Sequence, residues 1–184
     1  MTPQAQTLIT LFETNRTERY GVNVQAVIDA LTAQGKDPAV EFESLFRDRD
    51  PEAMGGYYYA MTGMRSLAVR GLLTQAQARI VLKMMVSPML QLDGDGYYKT
   101  ISALARSRET APALLEFTEQ TLEKKAVSRW RWWAFYAASE LLGAGTAPLP
   151  QTLVEKLLQE IPEERDPHDK HYFEEVMRGA TKSS

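Results

Sequence analysis

The sequence predicts an all-α protein built from antiparallel helix pairs. Apolar residues recur every three or four positions along nearly the whole chain, the spacing of one helix face. Asp-Pro steps and glycines break that pattern at helix-length intervals, as helix starts and stops do. No run alternates apolar and polar residues over a strand length between two turn signals.

The first helix is expected over about Pro3–Glu13, with Leu8, Leu11 and Phe12 on one face. A second, over about Asn23–Gln34, carries Val24, Val27, Ile28 and Leu31, and Gly35 marks its end. Asp37-Pro38 opens a third, with the aspartate as cap and the proline where no backbone N–H is needed. Its apolar residues are Val40, Phe42, Leu45 and Phe46. Asp50-Pro51 repeats the device before a helix with Met54, Tyr57, Tyr58, Met61, Met64 and Leu67, ending near Gly71. Within it, Gly56 and Gly63 point to a closely approaching neighbour. Tyr57 reads as core, and Tyr58 or Tyr59, with Arg65 or Arg70, as the lining of a groove.

Thr74 caps a helix expected from Gln75 towards Leu92, which Pro88 kinks or cuts short. Its polar residues Gln75, Arg79, Lys83 and Ser87 form one narrow stripe, so the rest of its surface is predicted to be covered. After the Asp93–Gly96 turn comes a helix with Tyr97, Tyr98, Ile101, Leu104 and Ala105. Further helices are expected over about Thr110–Lys125 and Val127–Leu142, then from Leu149-Pro150 and from Asp166-Pro167. Residues 181–184 read as a frayed tail.

A chain of 184 residues suits one domain, here an N-terminal helical pair (1–36) and a longer body (37–180). It can bury roughly 70% of its unfolded surface without staples. There is no cysteine, which excludes disulfides, thiolate metal sites and cysteine nucleophiles. The N-terminus lacks a basic leader region, and no apolar run approaches the ~20 residues of a membrane span. The expectation is a cytoplasmic protein with no membrane partner.

A faint internal repeat runs through the body. Tyr57-Tyr58 with Met61 and Met64 reappears 40 residues later as Tyr97-Tyr98 with Ile101 and Leu104. Phe135 with Ala138 and Leu141, then Tyr172-Phe173 with Val176, echo it again. Over residues 37–180 this spacing resembles HEAT and armadillo repeats, whose period is about 40–47 residues. The resemblance implies a short solenoid of stacked helix pairs with an extended binding surface. An irregular helical bundle is the alternative.

The formal net charge is −3, unevenly placed. Residues 53–108 hold Arg65, Arg70, Arg79, Lys83, Lys99, Arg106 and Arg108 against only Asp93 and Asp95, a balance of +5. A basic middle of this kind is suited to an acidic partner. All three tryptophans lie between Ser128 and Tyr136. Helical spacing puts Trp130 and Trp133 on the inner face and Arg129, Trp132 and Tyr136 on another. Exposed Trp, Tyr and Arg are the side chains that most often anchor interfaces. The candidate binding residues are Arg129, Trp132, Tyr136, Tyr58, Tyr98, Arg79 and Lys83.

The expected function is therefore non-catalytic binding of a protein with an acidic surface, one form of which is an immunity-type inhibitor of a toxin. One alternative is a nucleic-acid or DNA-repair protein, since helical-repeat folds resembling the alkylpurine DNA glycosylases use Trp, Arg and Asp in this way. The acidic balance, with a pI near 5.5, removes most of the phosphate attraction such binding needs, so nucleic acid is disfavoured. Another is a metal-dependent enzyme at His168 and His171, with Glu174 and Glu175 a turn beyond. That very polar segment is better read as a solvated helix start. Asp93-x-Asp95-Gly96 fails as a calcium loop, because Tyr97 and Leu104 stand where oxygen ligands are required. Neither a nucleophile elbow nor a cofactor motif is present, so no catalytic residue and no cofactor are assigned.

Overall fold

A computed structural model of the chain describes residues 2–17, 21–47, 54–86, 94–123, 128–161 and 166–182. Among these residues the regular structure is all helical, and one isolated bridge joins Arg16 and Val22. The chain divides into two compact units, 1–100 and 101–184. The first holds α1 (Pro3–Thr14), α2 (Val24–Ala33), α3 (Pro38–Arg47), α4 (Met54–Val69), α5 (Gln75–Met85) and the start of α6 (Gly94–Ala105). The second holds the end of α6, then α7 (Ala111–Glu123), α8 (Ser128–Ala144), α9 (Gln151–Glu160) and α10 (Pro167–Lys182). The boundary falls inside α6.

Local chemistry sets the helix ends. Asp37 Oδ1 accepts from Ala39 N at 2.9 Å, and Asp166 Oδ1 accepts from His168 N at 2.8 Å. Each supplies an acceptor to a helix N–H that has no partner within its own helix. Thr74 and Gln77 cap α5 reciprocally: Gln77 N donates to Thr74 Oγ1 at 3.3 Å, and Thr74 N to Gln77 Oε1 at 2.9 Å. Gly35 and Gly71 end α2 and α4 in the left-handed region, at φ 70° and 67°. There Lys36 N donates to Leu31 O at 3.0 Å, and Leu72 N to Leu67 O at 2.9 Å, closing both helices. α5 ends at Met85, before Pro88; Asp50-Pro51, Pro88 and Asp93 lie outside the described residues.

In the first unit, Phe12, Phe42, Val27, Leu31, Leu45 and Met64 are buried. Phe12 stacks on Tyr59 at 4.9 Å and lies 5.5 Å from Phe42. Gly63 lets the Phe42 ring lie against α4, since a Cβ there would meet the ring at 2.6 Å. Val40 departs from expectation: it is exposed. The core stripe of α3 is Ala39, Phe42, Leu45 and Phe46, and Val40 is about 100° of helical rotation from Ala39. α5 was predicted to be covered except along its polar stripe. Ala78, Val81, Leu82 and Met85 are buried, but Ala76 is exposed and Ile80 and Met84 only half-buried.

In the second unit the core gathers Leu122, Ala134, Phe135, Ala138, Leu153, Leu157, Phe173 and Met177. Phe135 and Phe173 stack at 4.1 Å. Buried hydroxyls are satisfied within the backbone, as Thr110 Oγ1 donates to Leu104 O at 2.6 Å and Thr118 Oγ1 to Leu114 O at 2.9 Å. Thr146 donates to Ala105 O, taking up a carbonyl at the end of α6.

Candidate functional site

The α4–α5 hairpin gathers three of the seven candidate residues. Tyr58, Thr62, Arg65 and Val69 are spaced so as to fall on one face of α4, and Tyr58 and Val69 are the exposed members, at 54% and 63%. Thr62 turns its hydroxyl back to Tyr58 O at 2.9 Å. On α5, Arg79 and Lys83 are exposed at a spacing of four. Lys83 also lies in the last turn of α5, where a cation offsets the helix dipole.

The turn between these helices displays its apolar side chains. In a Schellman ending, the residue after the glycine commonly packs back onto the last helical turn. Leu72 holds that position, yet it is 58% exposed. With Val69 and exposed Arg70 it forms an aliphatic and cationic tip. From residue 54 to residue 86 there are four cations (Arg65, Arg70, Arg79, Lys83) and no Asp or Glu. The hairpin's own charges are therefore all positive.

Tyr59, the neighbour of Tyr58, is buried, and its ring stacks on Phe12. Its phenol accepts from Arg16 Nε at 3.0 Å and donates to Glu13. Burial pushes the Tyr59 pKa up, the hydrogen bond to Glu13 pushes it further, and Arg16 opposes both. Of the two tyrosines expected to line a groove, Tyr58 alone is on the surface. Tyr98 is half-buried. The side chain of Tyr57 and the surroundings of Gly56 lie outside the described residues.

The second unit holds Trp132 and Tyr136 on α8. Both are half-buried rather than open. Trp132 stacks on Tyr136 at 5.4 Å, meets Trp133 edge-on at 4.9 Å and packs on the core beside Phe173. Tyr136 Oη and Ser102 Oγ are 3.0 Å apart, and Ser139 Oγ and Tyr172 Oη 3.1 Å. Burial raises the pKa of Tyr136, with Glu140 adding to the rise and Ser102 opposing it. The aromatic ladder is thus tied into the fold at its polar tips, leaving part of Trp132 and Tyr172 at the surface. The side chain of Arg129 lies outside the described residues.

His171 Nε2 lies 3.6 Å from Glu175 Oε1, with both side chains exposed. His168 is exposed, with its backbone N–H on the Asp166 cap. Among the described residues no group of three His, Asp or Glu is placed to hold a metal. No helix among them is long and apolar enough to cross a membrane.

Sequence spacing could not have found the Glu13–Arg16–Tyr59 cluster or the Ser102–Tyr136 contact. Tyr59 lies more than forty residues from Glu13 and Arg16, Tyr136 lies 34 from Ser102, and no motif links them. Comparison with known proteins finds no family model, no curated protein and no solved structure that matches the chain. The class defined by fold and surface is an all-helical protein with a one-signed, partly apolar hairpin.

Proposed function

We propose that the chain is a non-catalytic protein-binding module that docks an acidic partner surface on the α4–α5 hairpin. The observation that carries this reading is the coincidence of three exposed cations, Arg70, Arg79 and Lys83, with exposed Tyr58, Val69 and Leu72 and no acid between residues 54 and 86. The cations steer an acidic surface in and fix its register, whereas the apolar side chains supply area to bury. Aliphatic Val69 and Leu72 have no use on a phosphate backbone, which favours a protein over a nucleic acid. The reading accommodates an immunity-type inhibitor, and it accommodates a HEAT-like stacking of the helix pairs. Neither is needed for the docking itself.

The test is an affinity capture from the source organism, followed by a salt titration of whatever is retained. Charge reversal at Arg79 and Lys83 is expected to weaken the retained complex about tenfold or more and to flatten its salt dependence. The same double variant is expected to lose about 1 kcal/mol of stability or less, since both positions are exposed and Lys83 sits in the last turn of α5. An unchanged affinity and salt slope would remove the hairpin as the docking face. Salt-sensitive binding of a short DNA duplex, abolished by the same substitutions, would transfer the surface to nucleic acid.

A further inference from the structure

A groove of about 230 Å³ lies along α1, with Leu8, Leu11 and Leu31 lining it and Gln4, Lys36 and Glu41 among its polar groups. Two features of the chain's path build the polar group. The reversal at Gly35 delivers Lys36 just beyond the end of α2. Glu41 lies in the first turn of α3, where the helix dipole favours a carboxylate. Glu41 is buried, yet it faces this groove. Its Oε2 accepts from Gln4 Nε2 at 3.2 Å. Lys36 Nζ stands 3.7 Å from the same oxygen, longer than a charge-assisted hydrogen bond of about 2.7–2.9 Å. The ion pair is therefore loose, and it sets both signs of charge beside three leucines in a lining that is otherwise polar.

We propose that this groove binds a free α-amino acid with an apolar side chain. The ligand ammonium takes Glu41, its carboxylate takes Lys36, and its side chain lies over Leu8, Leu11 and Leu31. The charge pattern selects the class. A ligand carrying one charge would satisfy one member of the pair and leave the other facing an uncharged group in a partly dry site. A zwitterion with its charges on adjacent groups matches both at once. The size agrees. The groove holds about eight water volumes at roughly 30 Å³ each, and it falls below the roughly 300–1,000 Å³ typical of drug-sized ligands. The site shares no residue with the α4–α5 surface, so its fate is independent of the docking reading.

The test is calorimetric titration of the full chain with L-leucine, with leucinamide, which lacks the carboxylate, and with N-acetyl-leucine, which lacks the ammonium. L-leucine is expected to bind in the millimolar range, and each blocked analogue about tenfold more weakly or worse, since each loses one charged contact. Lys36→Ala should lose at least about tenfold in L-leucine affinity with an unchanged circular dichroism spectrum, because Lys36 sits in a loop. Glu41→Gln, which keeps an oxygen for Gln4, should lose a similar factor. Absence of L-leucine binding, equal binding of the three ligands, or undiminished binding by Lys36→Ala would each overturn the assignment.

Discussion

The α4–α5 hairpin and the α9–α10 pair are both two-helix units, and they handle charge in opposite ways. α10 pairs Arg178 with Glu174 at 3.6 Å, and His171, which carries charge only when protonated, lies 3.6 Å from Glu175. Lys156 of α9 reaches Glu123 of α7 at 3.5 Å. Such exposed pairs contribute little, about 0.2–1 kcal/mol each, but they set charges of opposite sign side by side. The hairpin has no acid of its own. Its own charges are all positive, and Arg70, Arg79 and Lys83 are exposed, as are Tyr58, Val69 and Leu72. Beneath α10, by contrast, the aromatic side chain of Phe173 is wholly buried. The comparison teaches that charge composition separates the two: α9 and α10 carry both signs over a buried core, whereas the hairpin, also rooted in a core through Met64, Val81 and Met85, carries only cations beside exposed Val69 and Leu72.

The largest effect should come from the side with the stronger core. Phe173→Ala removes a ring stacked on Phe135 at 4.1 Å, and urea unfolding should show a loss of about 3–5 kcal/mol. A loss below about 1 kcal/mol would mean that α10 contributes little to that core. On the hairpin side, Gly63→Ala should cost about 1–3 kcal/mol by the same measurement, because the new methyl meets the Phe42 ring at 2.6 Å. A neutral result would show that α3 moves off α4 at no cost. Thr74→Ala deletes half of the reciprocal cap on α5 and should cost about 1 kcal/mol. Serine at this position should restore most of it.

Alkaline titration sharpens the comparison, since Tyr59 in the first unit and Tyr136 in the second have phenols with a raised pKa. For Tyr59 the main cause is burial, then the hydrogen bond to Glu13. For Tyr136 it is again burial, reinforced by Glu140. A folded pKa above the unfolded value of about 10 favours the native state fully below that pH and loses the contribution as pH rises through the folded value. Stability should therefore fall above about pH 10, and Tyr59→Phe should remove part of the fall. Phenolate absorbance that rises in one step at the ordinary tyrosine pKa would contradict this.

Much of the fold was legible from local chemistry. Asp37, Thr74, Gly35 and Gly71 act within four residues of themselves, so their roles could be read without knowing any neighbour. Gly63 was legible as a close approach, though not as an approach by Phe42. The candidate surface was only half legible. The sequence left Tyr58 and Tyr59 open as groove residues, and it set Trp132 and Tyr136 on a face that the structure half-covers. It did not reveal the groove along α1, whose lining spans residues 4 to 41.

The sequence alone determined that the chain is helical, where most helices begin and end, and that one stretch carries charge of a single sign. These follow from interactions between residues a few positions apart and from composition. Only the tertiary structure decided that Tyr59 is buried while Tyr58 is exposed, that Val40 and Leu72 are left in solvent, and that Lys36 meets Glu41 beside three leucines. Each of those depends on which helix arrives opposite, and periodicity says which side of a helix is apolar without saying what will cover it.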